Sequence, residues 1–302
     1  MVHAVQSVLV TGLSGFLGKA LDTERPDRGL LIGTRRPRKE FSPVQRTGSW
    51  IDCDLEDIES VERCIASTTP TVVIHAAGEA NVDNAQASPS GAIASNVVST
   101  INLAQACASR GIHLIFVSSN AVFSGNEAPY DEMADPNPVN HYGLIKLTAE
   151  RAALHLNPKT TIVRPILMYG WNDPTGRSNP VLTTINKLRA GEPIKMVDDV
   201  YENPLYGREC AKAIWAIARD GKVGTYHVAG STTVHRYDLA LQTARVFELD
   251  ENLITRVQSD AFPSIAPRPK NTSFITDRMQ RELGIEPLSL EHGLRLMREH
   301  EA

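Results

Sequence analysis

The chain has 302 residues, 42% of them hydrophobic, which is enough to bury a large core in one or two subdomains. Its 31 basic and 35 acidic side chains give a formal net charge of −4, so the composition predicts no nucleic-acid partner and no anionic membrane surface. No apolar run approaches the roughly 18 residues of a membrane span, and the first residues lack the pattern of a signal peptide. We therefore expect a cytoplasmic protein.

The cysteines are scattered along the chain, without a C-x-x-C pair or an accompanying histidine cluster. This pattern is typical of buried thiols in a reducing compartment rather than of a disulfide framework or a zinc site. We predict no structural metal. The four residues are Cys53, Cys64, Cys107 and Cys210.

Short apolar runs alternate with helical patterns through the first half of the chain. Continuous apolar strands separated by helices predict a parallel sheet covered on both faces, which is a Rossmann-type doubly wound α/β domain. One long helix is predicted to carry Ile93, Val97, Ile101 and Ala104 on a single face and to end near Gly111. The predicted strands contain Val8–Val10, Leu30–Ile32, Trp50–Ile51, Val72–Ile74, Leu114–Val117 and Thr160–Val163.

Beyond Arg164-Pro165 prolines and glycines cluster and the alternation becomes irregular. We predict an NADP-binding domain over 1–165, joined by returning elements at about 206–230. The segments at about 166–205 and 231–302 would form a smaller substrate-binding cap. Ligands of open α/β sheets bind outside the carboxyl ends of the strands, where such a cap would lie.

A glycine-rich turn, Gly12, Gly15 and Gly18, follows the first strand and opens a helix. Glycines at this place permit the tight turn, the approach of a pyrophosphate to the backbone, and close packing of helix on strand. The helix N-terminus adds unpaired amides and partial positive charge for the phosphates. An ordinary strand–helix turn is the alternative, because the spacing is G-x-x-G-x-x-G.

The second strand ends at Arg35-Arg36, where an NAD-specific site commonly has Asp or Glu. Arginine accommodates the 2′-phosphate of NADP, so we predict NADP(H) as the preferred cofactor and NAD(H) as the second choice. A solvated basic turn is the alternative. Asp54, after the third strand, is placed either to meet the adenine amino group or to cap the next helix.

Tyr142 and Lys146 stand four residues apart, which places both side chains on one face of a helix. An adjacent ammonium favours the phenolate, so Tyr142 becomes a candidate proton donor or acceptor. Ser119, at the carboxyl end of a strand, completes the candidate catalytic set. A surface i,i+4 pair is the alternative for Tyr142 and Lys146.

The chain resembles the extended short-chain dehydrogenase/reductase family over nearly its whole length, and within it the dTDP-4-dehydrorhamnose reductase branch. The motifs behind this resemblance are Thr11-Gly12-x-x-Gly15-x-x-Gly18, Asp54-Leu55, His75-Ala76-Ala77-Gly78, Ser95-Asn96-Val97, Val117-Ser118-Ser119-Asn120-Ala121-Val122-Phe123-Ser124-Gly125, Pro129-Tyr130-Asp131-Glu132, Asn137-Pro138-x-Asn140-x-Tyr142-Gly143-x-x-Lys146 and Arg268-Pro269-Lys270-Asn271-Thr272.

The resemblance implies NADPH-dependent reduction of the 4-keto group of a nucleotide-linked 4-keto-6-deoxy sugar. It implies that Tyr142 protonates the C4 oxygen, that Lys146 lowers the phenol pKa and holds the nicotinamide ribose, and that Ser119 hydrogen-bonds the reacting oxygen. It extends the cofactor-binding set beyond the three glycines, Arg35, Arg36, Asp54, Tyr142 and Lys146. The added residues are Ser14, Phe16, Leu17, Leu55, Ala76, Ala77, Gly78, Asn96 and Pro165.

The chain departs from the branch at Ala121, where tyrosine is frequent, and at Leu167, where a substrate-contacting tryptophan is frequent. Trp171 either compensates or belongs to the core of the cap. A diphosphate needs cationic or amide donors. The candidate substrate contacts, each with surface solvation as the alternative, are Ser119, Asn120, Tyr142, Leu167, Arg177, Asn179 and Arg268.

Two other functions fit the resemblance less well. The first is a 4,6-dehydratase, which would carry an Asp-Glu pair where this chain has Asn120-Ala121. The second is not an enzyme but a catalytically silent NADP-binding regulatory subunit, resembling the beta subunit of methionine adenosyltransferase. Dimers of related proteins pack through helices corresponding to 92–110 and 140–157, so the resemblance allows a homodimer. The alternative is that the sheet covers the apolar faces of these helices, which leaves the oligomeric state open.

Overall fold

The computed structural model describes residues 7–26, 30–37, 49–172, 178–262 and 266–301. In chain order the strands are β1 (Ser7–Thr11), β2 (Leu30–Arg35), β3 (Ser49–Asp52), β4 (Val72–His75), β5 (His113–Val117), β6 (Thr160–Pro165), β7 (Met168–Tyr169), β8 (Ile194–Val197), β9 (Tyr201–Glu202), β10 (Leu205–Tyr206), β11 (Gly224–Val228), β12 (Val234–His235) and β13 (Ile254–Val257). The helices are α1 (Phe16–Thr23), α2 (Ile58–Thr68), α3 (Val82–Ala87), α4 (Pro89–Ile93), α5 (Ser99–Ala108), α6 (His141–Leu156), α7 (Pro180–Arg189), α8 (Gly207–Asp220), α9 (Arg236–Val246), α10 (Asp277–Leu283) and α11 (Leu290–Glu299).

Seven parallel strands form the central sheet in the spatial order β11-β6-β5-β4-β1-β2-β3. The strand order reverses between β1 and β4, which pair through Val10 and Ile74. Their carboxyl ends therefore frame the crevice in which doubly wound sheets bind ligands. The predicted Rossmann-type fold class is confirmed.

Each face of the sheet is covered by helices because its strands are apolar on both sides. On one face Leu21 of α1 and Ile214 of α8 pack into a shared buried core. On the other face Val61 and Ile65 of α2 and Leu103 of α5 form a second buried core. This layering explains why the strands read as continuous apolar runs.

The predicted long helix is interrupted, and this part of the prediction is wrong. A π-helical segment, Ala94–Val98, lies between α4 and α5. The wider turn shifts the helical register, so Val97 is buried whereas Ile93 is 44% exposed. The helical face inferred from a uniform period of 3.6 residues therefore does not continue through the segment.

A smaller lobe lies at the carboxyl end of the sheet and contains three short two-stranded sheets, β10-β7, β12-β9 and β13-β8. Tyr169, Ile185, Leu239 and Leu294 pack in its core. The chain returns to the large lobe in α8 and β11, where the sequence analysis placed 206–230. It returns again in α10, whose Met279 joins the first core of the sheet, although the sequence analysis assigned all of 231–302 to the cap.

All four cysteines are buried and carry free thiols. Within the described ranges, no helix is both long and apolar enough to cross a bilayer. Within the same ranges, no three His, Cys, Asp or Glu side chains come together as a metal site.

Candidate active site

The glycine turn between β1 and α1 leaves a cradle that side chains would fill. Gly12 has a φ of +76°, and a Cβ built on it would lie 2.9 Å from the backbone of Ala76 and Ala77. A Cβ on Gly18 would lie 2.4 Å from the Gly12 carbonyl oxygen. Glycine is required at both positions because the turn presses against β4 and α1 presses against the turn. The cradle fits a dinucleotide pyrophosphate, and Ser14 and Gly15 lie exposed at its edge.

A chain of hydrogen bonds links the carboxyl ends of β1 and β4 beside this cradle. The Ala77 amide donates to Thr11 Oγ1 at 3.2 Å, and Thr11 Oγ1 lies 2.7 Å from His75 Nδ1. His75 Nε2 lies 3.1 Å from Thr100 Oγ1, whose hydroxyl donates to the Asn96 carbonyl. These directions leave Nε2 as the protonated ring nitrogen. Burial, with a smaller effect of Lys146, lowers the pKa of His75 to about 3, so the ring is neutral.

Asn96 lies in the π-helical segment with 1% of its surface exposed. Its Nδ2 donates to the Ala92 carbonyl at 3.0 Å, whereas its buried Oδ1 accepts no hydrogen bond. A Cβ on Gly78 would lie 2.4 Å from that oxygen. A buried acceptor without a donor is costly, so this oxygen is available to a ligand N–H or O–H at the crevice.

Four of the other predicted cofactor residues are apolar and differ in their surroundings. Leu17 is buried in the core, and Phe16 lies at the junction of the lobes, where a Cβ on Gly207 would be 2.5 Å from its ring. Leu55 accepts a hydrogen bond from Asn102 Nδ2 at 2.9 Å through its carbonyl. Pro165 is buried at the end of β6.

Arg35 and Arg36 lie at the end of β2 and are both partly exposed. The Arg35 guanidinium pairs with Asp52, and that of Arg36 pairs with Glu56. Asp54 Oδ1 accepts from the Glu56 amide at 3.1 Å. The alternative that Asp54 caps the next helix is wrong, because Asp57 is the residue whose side chain caps α2.

Ser119 stands two residues after the end of β5 and caps the short 3₁₀ turn Asn120–Val122. Its Oγ accepts from the Ala121 amide at 3.2 Å and donates to Asn120 Oδ1 at 3.2 Å. The turn therefore holds the hydroxyl at the carboxyl end of the sheet, one strand beyond β4.

Tyr142 lies in the first turn of α6, and its side chain is buried. Asn140 caps the helix by accepting from the Gly143 amide at 2.9 Å, and its Nδ2 donates to the Pro267 carbonyl at 2.9 Å. A Cβ on Gly143 would lie 2.0 Å from the Ala121 carbonyl oxygen. The missing side chain lets the start of α6 lie directly against the Ser119 turn.

Lys146 lies one turn further along α6 and is 5% exposed. Its Nζ donates to the Val117 carbonyl at 2.7 Å and lies 4.3 Å from the centroid of the Phe116 ring. Burial lowers the pKa of Lys146 to about 8, and the carboxylate of Glu150 opposes this shift. Glu150 in turn binds Arg164 through two hydrogen bonds of 3.0 and 2.7 Å.

The small lobe contacts this site at Asn120. Its Nδ2 donates to Thr272 Oγ1 at 2.7 Å and to Glu202 Oε1 at 3.2 Å, and Glu202 pairs with Arg236 at 2.7 Å. Glu202 and Arg236 were not predicted as site residues. Each stands in a short polar stretch beside other charged residues, Asp198-Asp199 and Asp238 respectively, a context that many surface residues share.

The predicted substrate contacts are only partly brought together. Asn179 caps α7 and donates to the Gly170 carbonyl at 2.8 Å, so both ends of its amide are engaged. Arg268 pairs with Asp83 at 2.8 Å. Leu167 is half-buried against the core of the small lobe. Arg177 lies outside the described residues.

Trp171 belongs to the core of the small lobe rather than to an open pocket. Its indole N–H donates to the Met297 carbonyl at 2.6 Å, and its ring meets Phe247 edge-on. This tryptophan therefore faces α11.

Comparison with known proteins agrees with this geometry. The family model described as RmlD substrate binding domain matches residues 6–302. A dTDP-4-dehydrorhamnose reductase of Mycolicibacterium smegmatis is 30% identical over 287 residues, covering 94% of this chain and 82% of that protein. A dTDP-4-keto-6-deoxy-D-glucose reductase of Streptomyces niveus is 31% identical, covering 93% of this chain and 92% of that protein.

Two further similarities bear on cofactor and function. The crystal structure of dTDP-4-dehydrorhamnose reductase from Bacillus anthracis in complex with NADP has a TM-score of 0.84 and 27% identity, covering 98% of this chain and 99% of that one. Methionine adenosyltransferase 2 subunit beta of Xenopus tropicalis is 29% identical over 282 residues, covering 90% of this chain and 81% of that protein.

Proposed function

The chain belongs to the RmlD substrate binding domain family, and from this membership and the geometry of the site we propose that it is an NADPH-dependent reductase. The substrate would be a nucleotide-linked 4-keto-6-deoxy sugar. The observation that carries the proposal is the contact of α6 with the Ser119 turn. Through Gly143 it brings the helix bearing Tyr142 and Lys146 against the turn bearing Ser119.

The cofactor assignment is supported by the glycine cradle, the two arginines and the buried acceptor of Asn96. These groups would hold the pyrophosphate, the 2′-phosphate and a polar hydrogen of the dinucleotide. When bound, NADPH supplies the hydride that reduces the carbonyl carbon. NAD(H) is the second cofactor that the same cradle would accept.

The side chains of this site would handle the carbonyl oxygen. As negative charge develops on that oxygen, the Ser119 hydroxyl turns from Asn120 to donate a hydrogen bond to it. Tyr142 gives its proton to the same oxygen, which completes the alcohol. The Lys146 ammonium stabilises the phenolate left on Tyr142, and solvent restores the phenol proton.

A regulatory NADP-binding role is the second candidate, because relatives named methionine adenosyltransferase 2 subunit beta match most of the chain. The presence of Ser119, Tyr142 and Lys146 in one site favours the reductase.

We also propose that the protein forms a homodimer through the helices named in the sequence analysis. The exposed apolar side chains of Ile93 on α4 and Leu144 on α6 support this assembly. Light scattering coupled to gel filtration would measure the mass of the assembly.

The decisive experiment measures NADPH oxidation with dTDP-, GDP- and UDP-linked 4-keto-6-deoxy sugars, alongside fluorescence titration of the protein with NADPH. We expect oxidation with one of these sugars. The Tyr142→Phe variant should lose turnover while its affinity for NADPH changes little. Tight binding of NADPH without turnover on any sugar would favour the regulatory role instead. Unchanged turnover in Tyr142→Phe would remove this residue from proton transfer.

A further inference from the structure

The arginines at the end of β2 face carboxylates that the fold itself supplies. Arg35 and Asp52 are direct partners in the parallel register of β2 and β3, and their side chains form an ion pair. The Cys53 amide continues the ladder by donating to the Arg35 carbonyl at 2.8 Å. The strand register therefore places the two residues side by side.

The second pair is held by a turn. Asp54 accepts hydrogen bonds from the Glu56 amide at 3.1 Å through its side chain and from the Asp57 amide at 3.2 Å through its carbonyl. This turn presents Glu56 to Arg36, and the two side chains form an ion pair. Both arginines proposed to bind the 2′-phosphate thus share their surroundings with a carboxylate.

We propose that Asp52 and Glu56 are cofactor-specificity residues that limit the preference of this protein for NADPH over NADH. The inference rests on the proposed nucleotide binding but not on the proposed reaction. A 2′-phosphate carries close to two negative charges at neutral pH. Exposed ion pairs are weak, so the arginines can turn to the phosphate. The carboxylates remain well within a Debye length of about 8 Å and repel it.

NADH carries no 2′-phosphate, so the two carboxylates act on it far less. Each carboxylate lowers NADPH affinity in two ways, because it competes for a guanidinium and adds repulsion across a short, exposed gap. Removing both negative charges while keeping the side-chain shapes should therefore strengthen NADPH binding selectively.

The test is fluorescence titration of the intact protein with NADPH and with NADH. We expect Asp52→Asn and Glu56→Gln together to lower the Kd for NADPH about tenfold and that for NADH less than about twofold. The gain for NADPH should shrink as salt is raised from 0.05 to 0.5 M, by about half or more. Arg35→Ala should weaken NADPH much more than NADH.

A matched control is Glu251→Gln, which removes the same charge from an exposed pair with Arg245 in the small lobe. It should leave both affinities unchanged. Thermal unfolding of each variant verifies that it folds.

Unchanged or weaker NADPH binding in Asp52→Asn and Glu56→Gln would overturn the proposal, since the carboxylates would then only orient the arginines. If the protein bound neither NADPH nor NADH, both this proposal and the cofactor assignment would be overturned. A selective gain in NADPH affinity, without turnover on any keto sugar, would uphold it while the proposed reaction fails.

Discussion

Gly143 lies against Ala121 so closely that a Cβ on the glycine would be 2.0 Å from the alanine carbonyl oxygen. The two residues belong to the two elements that carry the candidate catalytic groups. The distance between Tyr142 and Ser119 therefore depends on the absence of one side chain.

We expect Gly143→Ala to push α6 away from the Ser119 turn. Overpacking of this kind typically costs about 1–3 kcal/mol of unfolding free energy. A displacement of about 1 Å between reacting groups lowers kcat by about a hundredfold. Steady-state kinetics and chemical denaturation measure the two effects.

Gly91→Ala serves as the control, because a Cβ on Gly91 would lie 3.9 Å from Ser88 Oγ, the nearest described atom outside its own helix backbone and its chain neighbours. This helical substitution should stabilise the protein by up to about 1 kcal/mol. If Gly143→Ala left both kcat and the unfolding free energy unchanged, the close approach of α6 to the Ser119 turn would not be required for activity or stability.

The buried ammonium of Lys146 predicts the alkaline limb of the pH profile. Because burial lowers its pKa to about 8, the ammonium proposed to support Tyr142 is charged below that pH and neutral above it. We expect kcat/KM in the direction of carbonyl reduction to fall above about pH 8. An inflection above about pH 10 would contradict this assignment.

The same burial predicts that Lys146 lowers stability. Its pKa is higher in the unfolded chain, so the unfolded state binds more protons between about pH 8 and 10, and stability rises with pH across that window. Lys146→Met should abolish turnover yet raise the unfolding free energy at pH 7 by about 1–2 kcal/mol. Denaturant unfolding at pH 7 and pH 10 should show this gain shrinking at the higher pH.

Three buried histidines predict destabilisation by acid. Burial lowers the pKa of His75 and His227 to about 3 and that of His113 to about 4. Lys146, Arg164 and Lys159 respectively add smaller effects in the same direction. Unfolded histidine takes up its proton near pH 6.5, so stability is complete above that pH and is lost as the pH falls toward 4.

We expect a slope of about 4 kcal/mol per pH unit near pH 5 if all three histidines stay neutral in the folded state. Unfolding free energies measured at intervals of half a pH unit give this slope. Replacing His113 should remove about a third of it. Replacing His155, which is exposed on α6, serves as the comparison. A flat profile would mean that the three rings are protonated in the native protein.

The Glu150–Arg164 pair is almost fully buried, with side chains 2% and 6% exposed. Removing one partner leaves the other charge unpaired, so Glu150→Gln should cost about 3–5 kcal/mol of unfolding free energy. Replacing both, as Glu150→Gln with Arg164→Met, should cost less than the sum of the single changes. A double-mutant cycle measures the coupling, and additive losses would contradict it.

Much of the site could be predicted from residues close together in the chain. The cradle follows from the spacing of Gly12, Gly15 and Gly18, and the shared helical face of Tyr142 and Lys146 follows from a separation of four. Ser119 could be placed at the carboxyl end of the sheet because β5, which precedes it, is a continuous apolar run. Each of these inferences needs only a local period.

The remaining features depend on contacts between distant segments. Asn120 meets Glu202 across 82 positions, and Arg35 meets Asp52 only because β2 and β3 share a register. The π-helical segment replaces an α-helical turn that the apolar pattern alone favours, and its buried Asn96 binds the Ala92 and Glu79 carbonyls. Local propensity and periodicity do not encode these pairings.

The interleaving of the two lobes limits how the small lobe can be exchanged. The segments of the small lobe are separated in the chain by parts of the large lobe. One such part is β11, which forms an edge strand of the seven-stranded sheet, and another is α10, which packs on the first core of that sheet. A contiguous fragment that contains the whole small lobe therefore also carries parts of the large one. Exchange of the small lobe with that of a relative would need the replacement of at least three separate segments, whereas point changes at Glu202 or Thr272 would alter the face that contacts Asn120 without disturbing the large lobe.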